Sequence, residues 1–230
     1  MSCAAELTRE ALEQLPEEDL AVRGLAEGLR GSVLRWSGDL VAAAQSLDRA
    51  MTIAQAAGDT RTTVEALCSL AAVQLAQGQL HQTVATCRDA LWLADEYARR
   101  GGQRLPISAS GYNIMSEVLR EWNDLDGALR RAREGIALSE QWGWQEGLAL
   151  GYRRRARALQ ALGDPEGADR AIQKARQAAS SLSPWFGAHM AAHQARLWLA
   201  QENLAPADRW AQESGLCADD EPGYQRLDEY

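Results

Sequence analysis

The sequence predicts an all-α protein, a solenoid of helical hairpins that repeat about every 40 residues, and three observations predict it. The first is composition. Of 230 residues 42 are alanine, whereas valine, isoleucine and threonine together number 19. Ala, Leu, Arg, Gln and Glu favour helices, and the scarce β-branched residues are the ones that suit strands. An all-β domain is excluded, and a doubly wound α/β sheet fits poorly. The second is a recurring turn signature: Gly38-Asp39-Leu40, Gly78-Gln79-Leu80, Asn123-Asp124-Leu125, Gly163-Asp164-Pro165 and, more weakly, Glu202-Asn203-Leu204. The third is a set of columns aligned on those turns. Small residues stand seven before each turn (Gly31, Ala71, Ser116, Ala156, Ala195), five after (Ala43, Thr83, Ala128, Ala168, Ala207) and twelve after (Ala50, Ala90, Gly135, Ala175, Ser214). A larger apolar column lies nine after: Leu47, Cys87, Ala132, Ile172 and Ala211. Small side chains once per repeat let paired helices approach closely, and larger ones fill the space between them.

Each element follows from this register. Residues 4–15 read as the second helix of an earlier hairpin, stopped by Pro16, so that 1–19 closes a preceding repeat. Five hairpins follow at 20–58, 59–102, 103–143, 144–183 and 184–215. Their first helices (helix A) are expected at 20–37, 60–77, 107–122, 145–162 and 184–201. Their second helices (helix B) are expected at 39–57, 79–100, 124–142, 164–181 and 203–214. Gly or Asn in each turn can take the left-handed backbone, and Asp can cap the helix that follows. The wider spacing in the middle is absorbed by Gly101-Gly102-Gln103-Arg104-Leu105-Pro106, whose glycines and proline break the long second helix before it. Residues 216–230 read as the start of a truncated further repeat, making 1–230 one repeat domain. Each hairpin buries its face only on its neighbours.

The columns resemble the tetratricopeptide repeat (TPR), with Leu34, Leu119, Leu159 and Trp198 at its large helix-A position and Gln74 departing from it. The period exceeds the usual 34 residues, and helix B is extended. Long repeats of this style are similar to the superhelical domain of MalT-type regulators of the LuxR family. The stretches that carry the likeness are Leu15-Pro16-Glu17-Glu18-Asp19-Leu20, Trp122-Asn123-Asp124-Leu125, Arg209-Trp210-Ala211 with Ser214-Gly215-Leu216, and Asp219-Asp220-Glu221-Pro222. The resemblance implies a right-handed α-solenoid that acts as a sensor arm. It would receive a small-molecule inducer or a regulatory protein and relay it to ATPase and DNA-binding domains of a parent regulator outside this chain. The alternative, from another class, is a free-standing TPR adaptor that binds a protein segment.

A formal net charge of −8 disfavours direct nucleic-acid binding, although residues 97–176 carry 14 basic against 10 acidic side chains and offer a local cationic patch. Lys174 is the sole lysine and lies within a helix, so no phosphate-binding loop exists. The start of the chain shows no secretory leader, no apolar run reaches membrane-spanning length, and four dispersed cysteines make no disulfide framework. The expectation is a cytoplasmic, reduced protein without cofactor, metal or catalytic site, hence not an enzyme. His189 and His193 stand four apart on a helix, a spacing that suits one metal, but Met190 replaces the glutamate of a zinc-protease pattern and no third ligand is evident. They are read as surface or groove histidines. Cys87 falls in the buried column, and Cys68 is expected to face the groove.

In TPR geometry the concave face comes from helix A, at positions ten, six and three before the turn. Carried over, these are Asn113, Glu117 and Arg120, then Arg153, Arg157 and Gln160, with Arg196 and Arg35, while Trp36 and His189 lie in adjacent columns. Arginines with amides and aromatics can hold a carboxylate, phosphate or polyhydroxylated ligand by forked hydrogen bonds and stacking. The competing reading of such charge runs is a solvated helix face. Trp92, Trp198 and Trp210 are read as core, and Trp142 and Trp144 as packing between repeats. Solenoid ends without a polar cap also allow chains to self-associate.

Overall fold

The computed structural model describes residues 2–215, so the expected start of a further repeat at 216–230 lies outside the described residues. These form α1 (Ser2–Gln14), α2 (Leu20–Ser37), α3 (Leu40–Ala56), α4 (Thr60–Ala76), α5 (Leu80–Arg99), α6 (Ser108–Glu121), α7 (Leu125–Trp142), α8 (Gln145–Leu162), α9 (Pro165–Ala179), α10 (Pro184–Ala200) and α11 (Leu204–Ser214). No strand occurs among the described residues, and every helix begins and ends within about two residues of its expected place.

The turns carry the repeat. All five turn residues have positive φ: Gly38 at 89°, Gly78 at 73°, Asn123 at 61°, Gly163 at 85° and Glu202 at 57°. Asp39, Asp124 and Asp164 then accept from the backbone N–H three residues on, at 3.0, 2.9 and 2.8 Å, and so satisfy a helix donor that has no intrahelical partner. Gln79 and Asn203 stand at the same place without such a bond. Within the inserted segment Gly101 ends α5 with φ 93°, and Leu105 plugs into the apolar layer between α4 and α5.

The chain divides into two compact units, residues 1–118 and 119–230. In the first, α2 lies on α3, which packs on α4, with Leu47, Leu70 and Val73 at the join. A second layer joins α4, α5 and α6 through Ala71, Val84, Cys87, Ile114 and Val118. On α2 of this unit the buried Glu27 carboxylate accepts from Ser46 and from Arg49 Nε at 2.9 Å. In the second unit α7 to α10 share one core, in which Ala128, Ala156, Ala168, Ile172 and Ala175 are fully or almost fully buried. The small and apolar columns are thus the helix contacts, except at α11, where Ser214 is exposed and Ala211 half-buried.

Three expectations are corrected. Trp92 is 63% exposed and belongs to no core layer, because its column points outward from α5. Trp142 also remains partly exposed, on the last turn of α7. Cys68 faces the layer between α4 and α5 rather than a groove, with Sγ 3.7 Å from the Ile107 carbonyl. Burial pushes its thiol up to about 12, and burial likewise raises Cys87, so neither is a poised nucleophile. Among the described residues no helix is long and apolar enough to cross a membrane.

Candidate binding surface

Helix A of each repeat carries the polar residues in question. In the second unit, α8 contributes Arg153, Arg157 and Gln160, and α10 contributes His189, His193 and Arg196. The two helices are in contact. Arg153 is buried, and its Nη1 lies 2.8 Å from His189 Nε2 and 2.6 Å from His193 Nε2. A guanidinium has only donors, so both ring nitrogens accept and both imidazoles carry their proton on Nδ1. Trp185 stacks on His189 with centroids 5.4 Å apart and planes 12° apart, and Phe186 meets Trp185 edge-on at 5.6 Å. His193 is 4% exposed, and burial, then the charge of Arg153, hold its pKa far below the ordinary histidine value.

This geometry corrects the reading of the histidines. They are not surface or groove residues but neutral acceptors that receive a buried cation. With both Nε2 lone pairs committed to Arg153, neither ring can ligate a metal or act as a base in this arrangement. No cluster of three or more metal-ligating side chains exists among the described residues. Around this centre, Arg176 Nη1 donates to Gln194 Oε1 at 2.7 Å. Gln201 Nε2 donates to Gln160 Oε1 at 3.0 Å and to Asp169 Oδ1 at 3.4 Å. Arg157 is half-buried and Arg196 exposed on the same two helices, at the same place in successive repeats. Arg120, on the last turn of α6, bonds to Glu121.

In the first unit, Arg35 and Trp36 close α2, with the guanidinium 4.1 Å from the indole centroid. Asn113 and Glu117 are buried on α6. Of the ten residues expected on a concave face, Asn113, Glu117, Arg153 and His189 are therefore enclosed by packing. Arg35, Trp36, Arg120, Arg157 and Gln160 are half-buried, and Arg196 alone of the ten is open. Sequence reasoning missed the Arg176–Gln194 and Gln201–Gln160–Asp169 links. No periodic signal marks them, since each occurs once.

A family model described as the MalT-like TPR region matches residues 1–229. A comparison of the sequence with curated proteins found no match. Among solved structures, a Rap protein complexed with Competence and Sporulation Factor superposes with TM-score 0.72 at 16% identity, covering 91% of this chain. This chain corresponds to 58% of that one. BtubC from P. vanneervenii superposes with TM-score 0.64 at 13% identity, over 96% of this chain and 92% of that one. The apo form of RapI gives 0.54 at 15% identity, over 92% and 58%. At these identities the likeness is one of fold, the TPR-like helical repeat.

Proposed function

Since the chain belongs to the MalT-like TPR family, we propose that this helical-repeat interaction domain is the signal-receiving arm of a MalT-like LuxR-family transcriptional regulator. In this reading its helix-A residues bind a small-molecule inducer or a regulatory protein, without a cofactor of its own, in the cytoplasm. Binding favours one arrangement of the repeats, and that difference in affinity biases ATPase and DNA-binding domains of the parent protein.

The observation that carries the reading is the second unit's cationic helix-A face. Arg157 and Arg196 lie in register on α8 and α10, and the buried Arg153 fixes the join of the two helices beneath them. Such a face suits a carboxylate- or phosphate-bearing ligand through forked hydrogen bonds. Enclosure of Arg153 and His189 gives them a positioning role, so direct contact falls to Arg157, Arg196 and the Gln160 amide. That the Rap protein of similar fold is complexed with Competence and Sporulation Factor supports reading this repeat array as a binding domain.

The test is a thermal-shift screen of the chain against acidic peptides and anionic metabolites, repeated on Arg157→Ala/Arg196→Ala. Loss of two charged hydrogen-bonding groups predicts roughly a tenfold to hundredfold weaker hit. A hit of unchanged affinity removes these residues from the site. Immunoblotting source cells separates the two larger readings. A band well above 25.1 kDa fits a regulator arm, and a band at that size fits a free-standing adaptor.

A further inference from the structure

The helix-A face accounts for only part of the cationic excess of residues 97–176. Arg155 stands two residues from Arg153 and from Arg157 on α8, about 200° around the helix from either, and so points away from the face that they serve. It shares its own stripe with Tyr152, one turn back, where α8 packs on both α7 and α9. Tyr152 donates its hydroxyl to Glu140 Oε1 of α7 at 3.1 Å, and Lys174 of α9 holds its ammonium 5.3 Å from the Tyr152 ring centroid. Three helices therefore meet at one tyrosine. Along the walls of this seam Arg133 lies two turns from Glu140 on α7, and Arg170 one turn from Lys174 on α9. Arg133, Arg170 and Lys174 are exposed, and Arg155 is half-buried.

The seam is short of negative charge. Arg155 Nε is enclosed and donates to nothing, and neither Arg155 nor Arg133 has a hydrogen-bond or ion-pair partner among the described residues. Glu140 is engaged by the tyrosine hydroxyl, and Arg170 meets Glu166 only at 3.6 Å. The first repeat shows the same register in balance. Eleven residues before and eleven after its turn stand Glu27 and Arg49, an ion pair at 2.9 Å. The fourth repeat has Tyr152 and Lys174 there, so the cation is retained while its carboxylate is replaced by a ring. A half-buried guanidinium without a counter-charge is costly, and a carboxylate from outside removes that cost. We propose that the α7–α8–α9 seam docks an acidic segment of a partner protein, whose Asp or Glu carboxylates pair with Arg155 and Lys174 at the centre and with Arg133 and Arg170 on the walls. These cations are spaced singly along a floor and two walls rather than converging on one point, which suits carboxylates strung along a chain better than a single phosphate. The formal net charge of −8 disfavours a nucleic-acid backbone. The inference stands apart from ligand binding by the helix-A face.

Lys174 is the sole lysine of the chain, so carbodiimide coupling reads this seam directly. An N-acetylated peptide of alternating Glu and Ser, incubated with the full chain and carbodiimide at low ionic strength, is expected to form an amide between a peptide carboxylate and Lys174 Nζ, located by mass spectrometry. Added salt should suppress the coupling. Arg155→Gln and, separately, Arg133→Gln should each slow it roughly fivefold to tenfold. Arg209→Gln, at an exposed position of α11 outside the seam, should leave it unchanged. Arg157 and Arg196 offer no amine, so a ligand held there leaves this readout silent and the two proposals fail separately. Absence of coupling at Lys174, or coupling indifferent to salt, overturns the proposal, as does a rate that both seam substitutions leave unchanged. An oligonucleotide that shields Lys174 from acetylation more strongly than the peptide does also overturns it, and assigns the seam to a phosphate chain instead.

Discussion

Glu202 holds a left-handed backbone, φ 57°, at a turn where three other repeats use glycine. A side chain in that region costs on the order of 1–2 kcal/mol, so Glu202→Gly should raise stability by about 1 kcal/mol after the glycine's own entropy is set against it, read as a higher urea midpoint. His193 supplies a second residue-scale expectation. Its folded pKa lies far below the ordinary 6.5, so below that pH the unfolded chain binds a proton that the folded chain refuses. Stability therefore rises with pH in this range and is lost on acidification, by about 1.4 kcal/mol per pH unit once the unfolded histidine is fully charged. Urea titrations at neutral pH and near pH 5.5 should show this slope, and His193→Gln should flatten it; an unchanged slope would place the proton elsewhere. The turn was legible in sequence because it recurs. The Arg153–His189–His193 contact was not, because histidines four apart read the same on a wet face as in a packed one, and the guanidinium that decides between them lies a repeat away.

At the scale of the helix, the small columns set the distance between partners. A Cβ on Gly31 would stand 2.6 Å from Leu47 Cγ and 3.3 Å from the Ala43 carbonyl oxygen. Leu47 is almost wholly enclosed and has no room to yield. Gly31→Ala should thus destabilise the α2–α3 hairpin by about 1–2 kcal/mol despite alanine's higher helix propensity, since overpacking outweighs that gain. Equal or greater stability in chemical denaturation would contradict the close-approach account. Helix positions were readable because capping aspartates, left-handed turns and packing columns all agree on one register. Side-chain direction was less so. Trp92 sits at helical spacing yet faces out, since a single aromatic carries no phase of its own unless its neighbours on the same stripe are apolar too.

Across the whole chain, nearest-neighbour packing makes stability a local sum, and the two compact units need not open together. Their chemistry differs in a way that can be measured. Six of the eight tryptophans (Trp122, Trp142, Trp144, Trp185, Trp198, Trp210) belong to the second unit, whereas the buried thiols Cys68 and Cys87 belong to the first. Indole fluorescence therefore reports mainly on one half of the molecule. The alkylation rate of the enclosed thiols, with Cys3 and Cys217 replaced by serine, reports on the other. The protein carries two independent clocks, one optical and one chemical, and their agreement or divergence during denaturation reveals whether the repeat array melts as a single cooperative body or one segment at a time.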